Sequence, residues 1–316
     1  MDRLPLVVIA GPTASGKTAL SLEIASHFDG EIISADSMQI YRLMDIGTAK
    51  PTLAERRGIA HHLIDEVMPD EEFHVARYAE LARRYIADIH ARGALPILVG
   101  GTGLYIDTVV EGVRLGEAGI DEGLRERLRN IAREKGNGHL HAMLAEVDPE
   151  AAGRLHQNDL KRVIRALEVY HLSGSPISEH QRRSREAKSP YTTMMFLPEW
   201  DRAALYRRID DRVDAMVEAG LYDEVKMLLG RGYTKALTSM QAIGYKEMLD
   251  YHYGYSTWDE TVEIIKRSSR RYAKRQLTWL RRNENYIRLP APDGAMADKC
   301  IAMISQWLDG CASKIG

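Results

Sequence analysis

Residues 11–18 read Gly11-Pro12-Thr13-Ala14-Ser15-Gly16-Lys17-Thr18 and directly follow the apolar run Leu4–Ala10. They match the phosphate-binding pattern G-x-x-x-x-G-K-[ST] in its usual setting, because a buried strand is predicted before the stretch and a helix after it. The two glycines let the backbone turn, so that its N–H groups form an anion-binding nest beside the positive end of the helix. Lys17 can place a charge on terminal phosphate oxygens, and Thr18 offers a hydroxyl to Mg²⁺. The stretch therefore predicts a polyphosphate site.

The composition is that of an ordinary globular protein, with 316 residues, 45% hydrophobic and 28% charged residues, and a net charge of −2. Any surface for nucleic acid must therefore come from local segregation of charge. The two cysteines match no metal-ligand spacing and are typical of a reduced compartment. No apolar run has membrane-spanning length and no signal peptide is recognisable, so we expect a cytoplasmic protein that does not enter the membrane.

The second predicted strand, Glu31–Asp36, ends on a carboxylate. The carboxyl ends of parallel strands face the ligand in P-loop folds, so Asp36 should lie beside the phosphate loop. There it could act as a general base or hold Mg²⁺. His61 and His62 are weaker candidates for a metal site, because adjacent strand residues point to opposite faces and no third ligand is near.

The middle of the chain changes character after Gly112. Residues 113–190 lack strand patterns, and between Arg154 and Lys188 eight Lys or Arg stand against four Asp or Glu. A strand pattern returns near Met194–Leu197. We therefore predict an α/β fold: a P-loop core with a parallel sheet flanked by helices, from residues 1–112 and 196–316, and an inserted all-helical domain at 113–195.

A run of one charge sign occupies residues 264–282, with eight Lys or Arg, no acid, and Tyr272 and Trp279 interleaved. A solvated helix face usually alternates in sign, so this run favours a polyanionic partner over an inert surface. Arg208 and Arg212 lie four residues apart on an earlier predicted helix. They could clamp the same phosphates as the P-loop.

Several stretches together resemble one family, the tRNA dimethylallyltransferases, also called bacterial tRNA isopentenyltransferases. Besides residues 11–18, the resemblance is carried by residues 34–41 (Ser-Ala-Asp-Ser-Met-Gln-Ile-Tyr), 45–51 (Asp-Ile-Gly-Thr-Ala-Lys-Pro), 61–65 (His-His-Leu-Ile-Asp), 99–105 (Val-Gly-Gly-Thr-Gly-Leu-Tyr), 158–168 (Asn-Asp-Leu-Lys-Arg-Val-Ile-Arg-Ala-Leu-Glu), 241–247 (Gln-Ala-Ile-Gly-Tyr-Lys-Glu) and 272–279 (Tyr-Ala-Lys-Arg-Gln-Leu-Thr-Trp). They run in family order over nearly the whole chain, so the set is far more specific than the P-loop alone.

The resemblance implies transfer of a dimethylallyl group from dimethylallyl diphosphate to N6 of the adenosine 3′ of the anticodon, in tRNAs that read codons beginning with U. The products would be N6-isopentenyladenosine and diphosphate, with Mg²⁺ as cofactor. The target base must be splayed out of its stack to reach the allylic carbon. Asp36 would then take the proton from the attacking amine.

The resemblance also assigns roles to residues. Arg212 and Thr18 join Asp36 as catalytic residues, Thr18 also on Mg²⁺, and residues 11–18 bind the diphosphate. The implied tRNA contacts are Asp36, Ser37, Met38, Gln39, Thr102, Arg125, Lys161, Arg162, Val163, Ile164, Arg165, Gln241, Ala242, Ile243, Gly244, Tyr245 and Lys246. Lys161 departs from the pattern, because glutamine is expected there.

Two other functions are compatible with parts of the sequence. A P-loop kinase of a small metabolite or nucleoside would use the phosphate loop and Asp36, but it would leave the basic run and the insertion without a purpose. A nucleic-acid-binding module with a vestigial P-loop would bind tRNA without turnover, which fits poorly with Lys17, Thr18 and Asp36 all being present. We expect a monomer, since no segment is typical of a dedicated association helix.

Overall fold

The computed structural model describes residues 3–112, 119–186 and 189–312. The strands are β1 Leu4–Ala10, β2 Gly30–Ala35, β3 His61–His62, β4 Leu95–Gly100, β5 Tyr191–Trp200 and β6 Tyr286–Ala291. The helices are α1 Lys17–Phe28, α2 Val75–Ala91, α3 Gly103–Val110, α4 Glu122–Lys135, α5 Asn137–Val147, α6 Pro149–Arg154, α7 Leu160–Ser173, α8 Ile177–Glu186, α9 Arg202–Glu218, α10 Leu221–Gly230, α11 Tyr245–His252, α12 Trp258–Leu280 and α13 Met296–Ala312, with a 3₁₀ turn at Ser239–Gln241.

The strands form one sheet in the order β3-β2-β4-β1-β5-β6, and every pairing is parallel. Buried parallel strands are continuously apolar, which is why β1 and β4 have hydrophobic sequences on both faces. The chain order reverses around β1, whose neighbours are β4 and β5. Ligands of open α/β sheets bind at such a point, beyond the carboxyl ends of the strands.

The sheet core is packed around β1 and β4. Val7, Ile9 and Ile97 are fully buried and contact apolar residues of α1 and α13. Ile304 of α13 belongs to the same cluster, so the last helix covers the sheet next to the P-loop helix. The P-loop therefore begins on a rigid strand.

The chain leaves this compact unit between Val109 and Val110 and returns to it between Ser189 and Pro190. The second unit is helical over its described residues and has its own core, with Leu128, Leu140, Leu144, Val163 and Leu167 among the buried residues. Two compact units of this kind can each bury a separate apolar core.

The predicted α/β fold is confirmed, while individual bounds differ. Residues 191–195 pair with β1 in the sheet, although we had assigned them to the insertion. The reason is that Tyr191, Thr192 and Thr193 extend the apolar strand at its N-terminal end, in parallel register with residues 4–6 of β1. Strand β6 and helices α10 and α11 had no sequence prediction, and the predicted insertion start at 113 lies outside the described residues.

Candidate active site

The P-loop joins the end of β1 to α1. Its Gly16 has φ 87° and Ala14 has φ 62°, both in the left-handed region. Such alternation turns successive N–H groups inward and makes an anion-binding nest. Lys17 lies at the start of α1 and its Nζ donates to Pro12 O at 3.2 Å. The loop is thus shaped for phosphate.

Three side chains hold the P-loop from outside. Arg208 Nε donates to Ala14 O at 2.9 Å, and Trp200 Nε1 donates to Ser15 O at 2.9 Å. The Arg208 guanidinium also stacks on the Trp200 ring, 4.4 Å from its centroid. Buried Gln276 of α12 accepts from Thr13 N at 3.0 Å and donates to Gly101 O at 3.0 Å. Arg208 therefore orients the loop, and its role as a phosphate clamp stays a prediction.

A cavity of about 350 Å³ opens beside the P-loop. This volume is within the range of sites for small molecules. Its lining includes Thr13, Lys17, Thr18, Asp36, Ser37, Met38, Gln39, Gly47, Thr48, Ala49, Ile209, Arg212, Val213, Met216, Gln241, Ala242, Ile243, Gly244, Lys246, Ile265, Tyr272, Arg275 and Gln276. One cavity thus combines phosphate-binding, acidic, amide and apolar groups.

Two cations and one carboxylate share this cavity. Burial, and next the charge of Arg212, lower the pKa of Lys17 to about 8, against the charge of Asp36, which raises it. Burial also lowers the pKa of Arg212, against the effect of Asp36. Arg212 Nε is buried and has no hydrogen-bond partner among the described residues. Neighbouring cations that repel each other in a buried site favour a bound anion.

Asp36 follows β2 and is fixed by its own turn. Its Oδ1 accepts from Met38 N at 2.9 Å, and Thr102 Oγ1 accepts from Ser37 N at 3.1 Å. Thr102 N donates to Ala35 O at 3.1 Å, which joins the ends of β2 and β4. A Cβ on Gly101 would lie 2.1 Å from Gln276 Nε2, so this close packing requires glycine where many ATPases place an aspartate.

Burial, and next the charge of Asp36, raise the pKa of Tyr272 to about 12. Tyr272 lines the same cavity from α12. Its hydroxyl is therefore protonated at neutral pH and can serve as a hydrogen-bond donor.

The loop Asp45–Lys50 forms one wall of the cavity and is held internally by Gln39. Gln39 Nε2 donates to Thr48 O at 3.3 Å and to Ala49 O at 3.4 Å, while its Oε1 accepts from Ser34 Oγ at 3.0 Å. The Gln39 amide thus supports the wall. The buried Lys50 Nζ contacts Asp45 at 2.7 Å and Asp65 at 2.6 Å.

Glu224 holds the same wall from the opposite side. Its carboxylate is buried and accepts from the backbone N–H groups of residues 45, 46 and 47 at 2.9, 2.8 and 3.2 Å. It also accepts from Tyr245 Oη at 2.5 Å. A Cβ on Gly47 would lie 2.4 Å from the Tyr245 ring, so only glycine allows this contact. Glu224 therefore joins the wall to α11.

Most of the sequence-predicted site residues of the core converge on the cavity. Thr102 and Tyr245 are behind its surface, where Thr102 supports the Asp36 turn and fully buried Tyr245 binds Glu224. The remaining predicted contacts belong to the helical unit. There the side chains of Val163 and Ile164 pack in the core of that unit, because α7 turns this apolar face inward. Lys161 and Arg162 are exposed.

Sequence reasoning missed the residues that α9 and α12 contribute besides Arg212. Ile209, Val213 and Met216 recur at helical spacing, a pattern that predicts packing against a protein core just as well as the lining of a cavity. Tyr272 and Gln276 lie four residues apart within the basic run. Gln276 is an uncharged amide within a basic run, and this difference indicates a side chain that faces the interior.

A P-loop at the switch point of a parallel sheet, with Lys17, Arg212 and Asp36 around one cavity, defines an α/β enzyme of the P-loop class. The family model described as IPP transferase matches residues 39–283. The chain belongs to this family of transferases.

Similar proteins cover almost the whole chain. A tRNA dimethylallyltransferase of Acetivibrio thermocellus is 50% identical over 303 residues, 96% of this chain and 97% of that protein. One from Desulforudis audaxviator is 54% identical over 281 residues, 89% of this chain and 90% of that protein. The crystal structure of a tRNA isopentenylpyrophosphate transferase from Bacillus halodurans has a TM-score of 0.71 at 46% identity and covers 98% of this chain and 97% of that one. The structure of a eukaryotic dimethylallyltransferase acting on tRNA has a TM-score of 0.82 at 30% identity, and the match covers 97% of this chain and 80% of that one.

Proposed function

We propose that this enzyme transfers a dimethylallyl group from dimethylallyl diphosphate to N6 of the adenosine 3′ of the anticodon in tRNA. The relatives are named for this reaction. The single observation that carries the proposal for this chain is the grouping of Lys17, Arg212 and Asp36 around one cavity whose other walls are partly apolar.

The diphosphate binds at the P-loop as the leaving group. Lys17 and Arg212 neutralise the charge that develops on its oxygens when the bond from C1 of the allyl group to oxygen breaks. Burial makes these charges more effective than they would be in water. The P-loop N–H groups, held in place by Gln276 and Arg208, add fixed donors.

Asp36 serves as the general base. The lone pair of N6 forms the new bond to C1 of the allyl group, diphosphate departs, and the N6 proton passes to the Asp36 carboxylate. The Met38 N–H fixes one oxygen of this carboxylate at 2.9 Å. Because an arylamine is a weak nucleophile, orientation and exclusion of water supply much of the rate.

The apolar wall suits the five-carbon chain. Ile209, Val213 and Met216 of α9 and Ile265 of α12 line the cavity. Burying methyl groups there contributes roughly 0.8 kcal/mol per CH₂. The same side chains exclude water from the allylic carbon.

Mg²⁺ would bind through the Thr18 hydroxyl and the diphosphate. Thr18 lines the cavity, and its hydroxyl has no hydrogen-bond partner among the described residues. Those residues contain no cluster of three acidic, histidine or cysteine side chains for a metal. One protein ligand plus substrate phosphates and waters is an arrangement that Mg²⁺ accepts. When bound, Mg²⁺ supplies positive charge to the leaving group.

The exposed side of α12 is the proposed tRNA surface of the core. Lys266 pairs with Asp214 at 2.7 Å and Arg270 with Asp210 at 2.5 Å. Arg271 and Lys274 are exposed and have no carboxylate partner in the part of the chain that the structure describes. The one-sign run is thus divided into a paired face toward α9 and a face available to phosphates.

No helix among the described residues is long and apolar enough to cross a membrane. The cytoplasmic location and the monomeric state remain predictions.

Ligand-dependent stability separates this function from the kinase alternative. Dimethylallyl diphosphate at a hundred times its dissociation constant should raise the free energy of unfolding by about 2.7 kcal/mol. ATP at the same concentration should give a smaller shift in melting temperature. A larger shift with ATP, together with phosphorylation of an added nucleoside, would favour the kinase.

A further inference from the structure

Glu168 of α7 has no role in the proposed chemistry, yet its carboxylate is fully buried in the helical unit. Its Oε1 accepts from Asp121 N at 2.9 Å and contacts Arg125 Nε at 2.9 Å. Its Oε2 accepts from Arg125 Nη2 at 3.1 Å and from Arg165 Nη1 at 2.5 Å. Two arginines from different helices therefore converge on one oxygen.

This carboxylate is ionised. Burial acts to raise the pKa of Glu168, but the hydrogen bonds from Asp121 N, Arg165 and Arg125 outweigh that effect and hold the pKa below its ordinary value. Buried ion pairs are weak evidence for stability, because apolar residues of similar volume often stabilise a fold as well. A buried charge in contact with two arginines therefore calls for a different explanation.

The arginines themselves reach the surface. The side chains of Arg125 and Arg165 are 23% and 36% exposed. Arg125 Nη1 donates to Glu122 at 2.7 Å, and the remaining N–H groups of Arg125 have no partner among the described residues. Lys161 and Arg162, in the first turn of α7, are also exposed. This surface is suited to phosphate oxygens, which arginine binds through paired N–H groups.

We propose that Glu168 is a positioning residue for RNA binding: it fixes Arg125 and Arg165 side by side so that both guanidinium groups meet phosphates of the anticodon stem-loop. This inference rests on the proposed function. Without the carboxylate the two cations repel each other and must be ordered at the moment of binding, which costs side-chain entropy.

The proposal makes a prediction opposite to that of simple electrostatics. Glu168→Gln removes a negative charge near a polyanion, which by itself would strengthen binding. We expect instead that affinity for the stem-loop falls by roughly five- to tenfold and that the slope of log K against log salt becomes shallower by about 1 to 2, as two phosphate contacts weaken.

Glu122→Gln is the matched control. Glu122 contacts the same arginine, but its side chain is 61% exposed. Removing this charge should leave affinity unchanged or strengthen it by up to about threefold, because exposed pairs hold their partners weakly. Binding is measured by fluorescence anisotropy with a labelled anticodon stem-loop across a salt series, on full-length protein.

A double-mutant cycle tests whether Glu168 acts on RNA binding through Arg125 and Arg165. Adding Glu168→Gln to the Arg125→Gln/Arg165→Gln variant should cause no further loss of affinity for the stem-loop, because the two arginines that Glu168 positions are already absent. A further loss of the same size in that background would overturn the proposal, as would unchanged or tighter binding by the Glu168→Gln single variant.

Folding is checked by far-ultraviolet circular dichroism of each variant. If Glu168→Gln does not fold, Glu168→Asp provides the test, because aspartate keeps the negative charge but has a side chain that is one methylene shorter. Weaker binding by this variant supports positioning, and wild-type affinity overturns it. If the wild-type protein binds the stem-loop but does not prenylate it, the proposed reaction is contradicted. The binding test of Glu168 can still be carried out in that case.

Discussion

Lys17 and Arg212 are neighbouring, partly buried cations, and at the scale of single residues they explain why the cavity should select an anion. Neither has a carboxylate partner in an ion pair among the described residues. The charge of Arg212 lowers the pKa of Lys17 and so destabilises the charged form of that lysine. A diphosphate reverses this effect, so its binding energy includes relief of that repulsion.

Affinity for dimethylallyl diphosphate should therefore depend on pH. Lys17, with a pKa of about 8, is charged below that pH and neutral above it. The bound anion raises this pKa, so the dissociation constant should increase above pH 8, by up to about tenfold per pH unit. Calorimetric titration without tRNA measures the effect.

Lys17→Arg is the control for this titration. Arginine keeps its charge over the whole range, so the inflection near pH 8 should disappear. An unchanged inflection would assign it to another group.

Replacing Asp36 by asparagine should slow prenyl transfer. Asparagine can still accept the Met38 N–H but takes no proton from N6, so we expect a loss of roughly 10²–10⁴-fold in single-turnover rate. Affinity for the stem-loop should change little. Equal turnover by wild type and Asp36→Asn would exclude Asp36 as the base.

At the scale of structural elements, the wall formed by residues 45–49 depends on Glu224. Truncation in Glu224→Ala leaves three backbone N–H groups and the Tyr245 hydroxyl without their acceptor. A buried unsatisfied donor costs about 1–3 kcal/mol, but water can enter the space that truncation opens and hydrate some of the four donors, so we expect the free energy of unfolding to fall by about 2–4 kcal/mol in urea denaturation.

Asp223→Ala is a suitable control for Glu224. Asp223 is the preceding residue and, in the part of the chain that the structure describes, its carboxylate makes only an exposed pair with Lys226 at 2.7 Å. Its loss should cost about 0–1 kcal/mol. A similar small cost for Glu224→Ala would mean that the wall does not depend on this carboxylate.

The two faces of α12 should behave differently. Arg271→Ala/Lys274→Ala should weaken stem-loop binding and reduce the salt slope by about 1 to 2. Lys266→Ala/Arg270→Ala removes the pairs with α9 and should leave that slope unchanged. The same slope change in both variants would show that the helix has no preferred RNA face.

For the whole molecule, the parallel core, the P-loop and the helical insertion were predictable because each depends on local periodicity or on a motif. Gln39 was not predictable in detail: its motif marked it as a substrate contact, but its amide is used by Ser34, Thr48 and Ala49. Glu224 and Glu168 could not be found from the sequence, because most of their donors are distant in the chain. Long-range hydrogen bonds leave no periodic pattern.

The most direct test of the account is the mass of an unmodified anticodon stem-loop after incubation with this protein, dimethylallyl diphosphate and Mg²⁺. We predict the gain of one C5H8 unit on the adenosine 3′ of the anticodon, with release of diphosphate. An RNA of unchanged mass, with ATP consumed on a small acceptor instead, would contradict prenyl transfer.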